Sequence, residues 1–169
     1  IIGTIATICG DMKNMEVVVA SGDMDTLQLV SGKKVTVYTL KKGIKDTIVY
    51  DEKTVKERFG FGPTLLVDYK GLRGDPSDNI KGVPGVGPKT AASLLKKFGT
   101  LENIYKNIAG TGSSKEKLTT FEKEAWRSKR LVTLVRGADV DMESIETAKV
   151  DFSPDRLTAY FKNLGFETL

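Results

Sequence analysis

The segment Ile80-Lys81-Gly82-Val83-Pro84-Gly85-Val86-Gly87-Pro88-Lys89-Thr90-Ala91-Ala92 constrains this chain more than any other. Glycines at 82, 85 and 87 let the backbone turn tightly and approach a partner without a Cβ in the way. Pro88 then opens a helix, since its fixed φ and missing N–H suit the first helical position. The first amides of that helix have no internal acceptor, and Lys89 adds a positive charge at the same end. A tight turn feeding a helix N-terminus is an anion site that suits a phosphate and disregards base identity. The interval excludes a P-loop: no G-x-x-x-x-G-K-[ST] string occurs, and Gly85 to Thr90 reads G-V-G-P-K-T.

Two pairs of carboxylates carry the second signal. Glu16 to Ser21 is a β-branched run of the kind found in a strand buried on both faces, which points to a parallel sheet covered by helices. Asp23 and Asp25 follow at once, at the end of a strand, where ligand sites of open α/β sheets form. Asp75 and Asp78 lie in Gly74-Asp75-Pro76-Ser77-Asp78-Asn79, directly before the glycine-rich segment. Converging aspartates repel unless cations sit among them, and an all-oxygen cluster selects Mg²⁺ or Mn²⁺. A pair of such ions about 3.5–4 Å apart can activate a water and stabilise the leaving oxygen of a phosphodiester. Taken singly, Asp75 and Asp78 read as turn and cap residues; their adjacency to the anion site favours the metal reading.

Composition narrows the chemistry further. The chain has no histidine, so zinc sites of the usual kind, Ser-His-Asp triads and imidazole acid-base catalysis lack their parts. Cys9 is the only cysteine and reads as a small buried residue in a reducing compartment. Between Asn79 and Arg130, eleven lysines and arginines face four glutamates, a balance of +7, while the whole chain is at +4 and the remainder at −3. A basic surface beside an acidic region fits a polyanionic partner and bound cations. No apolar run approaches the roughly 20 residues of a membrane span, which excludes a membrane-spanning helix.

Periodicity supplies the elements. Ile1, Ile2, Ile5, Ile8 and Cys9 recur at helical spacing, Thr26 to Val30 reads as a short helix, and Lys34–Leu40 and Thr47–Tyr50 read as further strands. Helices follow from Asp51 onward, with the apolar residues of Thr90–Phe98 ending at Gly99. Ala109–Ser114 reads as a linker, with Ser114 capping a long helix toward Val135. Ser153-Pro154-Asp155 starts a last helix that ends at Gly165. Trp126, on the basic helix, reads as a packing residue. The chain opens without Met on an apolar pattern and looks cut from something longer.

Ser21-Gly22-Asp23-Met24-Asp25-Thr26-Leu27-Gln28-Leu29-Val30, Asp68-Tyr69-Lys70-Gly71-Leu72-Arg73-Gly74-Asp75-Pro76-Ser77-Asp78-Asn79-Ile80 and the glycine-rich segment together resemble the 5′-3′ exonuclease domain of bacterial DNA polymerase I, within the flap endonuclease superfamily. The resemblance implies an α/β fold, in which a partial parallel sheet precedes a mostly helical part with a helix-hairpin-helix element. Residues 1–72 would end the catalytic α/β domain and residues 73–169 would form the DNA-binding region. It implies that Asp23, Asp25, Asp75 and Asp78 are catalytic metal ligands for two Mg²⁺ or Mn²⁺ ions. Lys81, Gly82, Val83, Gly85, Val86, Gly87, Lys89 and Thr90 would contact DNA, with K⁺ or Na⁺ on hairpin carbonyls between residues 82 and 87. The expected substrates are duplex and flap DNA, cut by structure during primer and flap removal, with a polymerase domain in the same parent chain. The family's Glu-Ala-Asp-Asp string would fall before Ile1, so these 169 residues are expected to bind DNA without cleaving it unaided. A non-enzymatic DNA clamp is the competing reading, and a clamp has no use for four carboxylates beside a polyanion.

Overall fold

β-Branched side chains favour a pleated backbone, and the predicted runs become strands β1 (Val17–Ala20), β2 (Val35–Lys42) and β3 (Asp46–Tyr50). The computed structural model describes residues 1–42, 45–148 and 153–166. The sheet order is β1-β2-β3, with β1 parallel to β2 from Val17↔Val35 to Ala20↔Tyr38 and β2 antiparallel to β3. Val35, Val37 and Thr39 alternate onto the buried face, as their spacing predicts. The other face is open: Val18 is 63% and Leu40 54% exposed. Within these residues β1 lies at one side of the three-stranded sheet, with Val19 in the core and Val18 on the open face.

Helix α1 (Ile2–Asp11) forms where predicted, and small residues join Cys9 on its buried side. Gly3, Thr4, Ala6 and Cys9 are buried, while Ile1 and Ile2 are exposed. The reason is close backbone approach on the small-residue side. A Cβ on Gly3 would lie 2.7 Å from the Val135 carbonyl oxygen, and Thr4 Oγ1 accepts from the Ala138 amide at 3.0 Å.

The chain divides into two compact units, Ile1–Asp139 and Val140–Leu169. In the first, α2 (Glu52–Phe59) is capped by Asp51, whose Oδ1 accepts from the Thr54 amide at 2.8 Å. Helix α3 (Leu66–Arg73) buries Leu66, Tyr69 and Leu72. Helix α4 (Pro88–Phe98) buries Ala91, Leu94 and Leu95 and ends at Gly99, and α5 (Leu101–Lys106) follows with Thr100 as its cap. Residues Ile108–Ser114 are not a linker: they wind into 3₁₀ turns in which Thr111 Oγ1 donates to the Ile108 carbonyl at 2.6 Å. Ser114 makes no side-chain cap, and the expected long helix is divided at Phe121 into α6 (Lys115–Thr120) and α7 (Glu122–Val132).

One apolar core runs from Val19 and Val37 through Leu72 and Leu95 to Leu118 and Ala125. Lys129 ties the helices over it, with Nζ 2.6 Å from Asp68 Oδ1 of α3 and 2.6 Å from Glu102 Oε1 of α5. The Asp68 contact is an ion pair without the angle of a directed hydrogen bond. Trp126 stacks on Tyr105 at a centroid distance of 5.5 Å, the packing role predicted for it. Cys9 is buried and free.

The second unit holds α8 (Met142–Thr147) and α9 (Pro154–Asn163), the latter capped by Ser153 and followed by left-handed Gly165. Tyr160, Phe161 and Phe166 form an edge-to-face aromatic set. Among the described residues, no helix is long and apolar enough to cross a membrane.

Candidate metal centre and nucleic-acid interface

From β1 the chain passes through Ser21 and Gly22 into the 3₁₀ turn Met24–Leu29. Ser21 Oγ accepts from the Asp23 amide at 3.1 Å, and Asp23 Oδ1 accepts from the Asp25 amide at 2.8 Å, so Asp23 caps the turn. Asp25 is buried. The Lys70 ammonium, from α3, pairs with Asp25 Oδ1 and with Asp75 Oδ2.

Asp75 begins the second acidic element. Its Oδ1 accepts from the Ser77 amide at 3.2 Å and from the Ser77 hydroxyl at 2.5 Å, capping the 3₁₀ turn Pro76–Asp78. Asn79, at φ 57°, reverses the chain. The Asp75 amide then donates to the Ile80 carbonyl at 2.7 Å and the Ile80 amide to the Asp75 carbonyl at 2.9 Å. This reciprocal pair fastens the acidic turn to the first residue of the hairpin.

Asp25, Asp75 and Asp78 each offer one carboxylate oxygen within 4.8 Å of the others. Asp23, the fourth predicted ligand, is not in that group, although its charge acts on Asp25. Burial is the strongest influence on Asp25 and leaves its carboxyl above the usual value despite the lysine beside it. Burial presses Asp75 the same way, yet hydrogen bonds from Lys70 and Ser77 outweigh it and hold that carboxyl low. Burial works against the charge of Lys70, and its two carboxylate partners overcome this and raise its pKa.

A hard divalent cation fits this donor set. The cluster is all carboxylate oxygen, and it already gathers a cationic group, the Lys70 ammonium, between Asp25 and Asp75. A divalent ion and that ammonium would compete for the same oxygens.

The hairpin is built from its backbone outward. Gly82 sits at φ 65° against Gly74, where a Cβ would collide with the Gly74 backbone. The Gly82 amide donates to Ser128 Oγ at 3.2 Å, the Val83 amide to the Leu72 carbonyl at 2.7 Å, and the Val86 amide to the Val83 carbonyl at 3.0 Å. Val83 and Val86 are buried. The predicted DNA-contacting set thus separates into two kinds. Gly82, Val83 and Val86 hold the hairpin from inside; the Val86 amide, expected to meet DNA, is spent within the turn. Lys81, Gly85, Gly87 and Lys89 are exposed and Thr90 half-buried. Gly87 has an ordinary extended backbone, so of the predicted glycines only 82 and 85 need the left-handed region.

A family model described as "5'-3' exonuclease, C-terminal SAM fold" matches residues 61–154, more than half of the chain. The chain belongs to the 5′-3′ exonuclease family. It is 42% identical to DNA polymerase I of Bacillus subtilis (strain 168), across 100% of this chain and 19% of that protein. The polymerase I of Bacillus caldotenax is also 42% identical, across 99% of this chain and 19% of that protein. The chain therefore spans about a fifth of the length of these curated relatives. Among solved structures, the phage T5 5′-exonuclease with divalent metal ions (zinc) bound matches with a TM-score of 0.67 at 23% identity, over 78% of this chain and 47% of that one. The phage T5 flap endonuclease in a pseudo-enzyme–product complex with DNA and metal ions gives 0.65 at 21%, over the same 78% and 47%. These two likenesses show the exonuclease fold.

Three site residues escaped the sequence reading. Lys70 had a local signal, a lysine five positions before Asp75 on the helix leading into it. Ser128 had none, because it reaches Gly82 across 46 residues. Lys117 had none either: its Nζ donates to the Gly85 carbonyl at 3.3 Å from 32 residues away.

Proposed function

We propose that this chain is the DNA-gripping, carboxylate-supplying part of a structure-specific 5′-nuclease that hydrolyses DNA phosphodiesters in primer and flap removal during replication and repair. The observation that carries the reading is the seam between the two elements. The turn bearing Asp75 and Asp78 is hydrogen-bonded at Ile80 to a hairpin whose exposed end presents Lys81 and Lys89.

In this reading Asp23, Asp25, Asp75 and Asp78 hold two divalent ions, Mg²⁺ or Mn²⁺. When bound, such ions make a water more acidic and stabilise a leaving oxygen. The chain's own residues position the substrate: the Lys89 ammonium, the Thr90 hydroxyl and the first amides of α4 bind backbone phosphate irrespective of sequence. A monovalent ion, K⁺ or Na⁺, would sit on hairpin carbonyls beside the one that Lys117 engages. Residues 1–72 serve the catalytic α/β part and residues 73–169 the DNA-binding part, with a polymerase domain in the same parent chain, in the cytoplasm at the nucleoid.

The test is Asp78→Asn in a chain extended to the length of the relatives. Duplex affinity is expected to persist while Mg²⁺-dependent cleavage of a labelled flap disappears; undiminished cleavage would overturn the ligand assignment. Lys89→Ala is expected to weaken duplex binding and lower the slope of log affinity against log salt by about 1. An unaltered slope would remove the hairpin from the interface.

A further inference from the structure

The groove beside α4 lies outside the acidic centre and outside the hairpin, yet shares Lys89 and Thr90 with the hairpin's end. It is a cavity of about 480 Å³ between α4 and the turns 108–114, with Leu94 and Phe98 among its apolar lining and no carboxylate among its lining residues. Lys89, Ser93 and Lys97 fall at i, i+4 and i+8, so they share one helix face, and all three are exposed.

The spacing of that face selects the occupant. Helical rise separates Lys89 from Lys97 by about 12 Å, with Ser93 at about 6 Å between them. Backbone positions recurring at that interval suit a polyanion with regularly recurring charges. Lys97 is also held in place: its Nζ donates to the Gly110 carbonyl at 2.9 Å and lies 4.9 Å from the Phe98 ring centroid. An ammonium has three N–H donors, so two are left for a ligand. On the facing wall Ser113 is exposed, and a side chain on Gly112 would meet nothing within 4 Å, which leaves the groove room to admit a strand.

We infer that this face is a phosphate rail: the DNA strand held at the hairpin continues along Lys89, Ser93 and Lys97, which lengthens the footprint beyond the hairpin. This rests on the hairpin reading above, and the experiment separates the two. Anisotropy titrations of the full chain use duplexes of increasing length at several KCl concentrations. For long duplexes, Lys97→Met is expected to lower the salt slope by about 1, and for duplexes short enough to touch only the hairpin to leave it unchanged. Lys97→Arg is expected to restore the long-duplex slope, which separates charge from the tie to Gly110, and Ser93→Glu to weaken long duplexes selectively. Lys89→Ala should lower the slope at every length. If Lys97→Met keeps the wild-type slope at all lengths, or loses it equally at all lengths, the rail is overturned and the hairpin stands. If Lys89→Ala is also without effect, the hairpin reading falls and takes the rail with it.

Discussion

The acidic turn at 75–78 and the hairpin at 80–87 are adjacent in sequence and held in opposite ways. Side chains fix the carboxylates of the turn: Asp75 accepts from Ser77 and pairs with Lys70, which also pairs with Asp25. Main chain holds the hairpin, through amides donating to Leu72, Val83 and Ser128 around two buried valines, with Lys81 and Lys89 left at the surface. On the proposed reading, the difference follows from the ligand each would take. Carboxylates gathered in a half-buried site repel one another and need a counter-ion within the fold. A site for a diffuse polyanion works best with its cations exposed and the framework behind them already satisfied.

The strongest challenge to this contrast is Lys70→Met. Removing one partner of a buried ion pair costs about 3–5 kcal/mol, so melting in chelator should show a loss of that order, with Mg²⁺ recovering much of it by taking the place of the ammonium. A loss of the same size with and without Mg²⁺ would end the idea that lysine and metal exchange places. Next is Gly82→Ala, where a non-glycine residue in the left-handed region costs roughly 1–3 kcal/mol and the collision with Gly74 adds to it. It should reduce stability and duplex binding together; intact binding would show that the hairpin tolerates a shifted main chain. The smallest effect is expected at Tyr105, in the helical layer outside both elements. Burial, with Glu122 and Glu124 nearby, pushes its phenol up to about 12. A folded pKa above the unfolded value means that its contribution is complete below the unfolded value of 10.0 and declines as pH rises from there toward about 12. In melts across that window, Tyr105→Phe should lose less stability than the wild type, offset by roughly 1 kcal/mol at neutral pH for the lost bond to the Leu118 carbonyl.

Features written in local chemistry were legible in the sequence. Val35, Val37 and Thr39 alternate as a strand, Pro88 opens and Gly99 closes a helix, and Asp75 and Asp78 lie beside the hairpin, all from residues within a few positions of each other. What depended on distant partners was not. Valines in a row could not reveal that β1 pairs parallel with β2 from Val17↔Val35 onward, a partner 18 residues away. The isoleucines of α1 gave the helix but not its contacts through Gly3 and Thr4 to Val135 and Ala138, far along the chain. Residues 108–114 have the composition of a linker, yet Thr111 satisfies the Ile108 carbonyl and turns them into structure. The acidic cluster was partly legible: Asp25, Asp75 and Asp78 were picked out by type and position and do converge, whereas the capping role of Asp23 and the bridging role of Lys70 emerge only from the folded chain.

The contact of Gly74 with Gly82 and the paired amides of Asp75 and Ile80 join the clasp and the turn of Asp75 and Asp78 into one block. Such a block behaves as a ruler. On the proposed reading, a strand that slips by one nucleotide on the hairpin slips by one nucleotide past the aspartates, so the interval between the held phosphate and the severed bond is set by main-chain geometry.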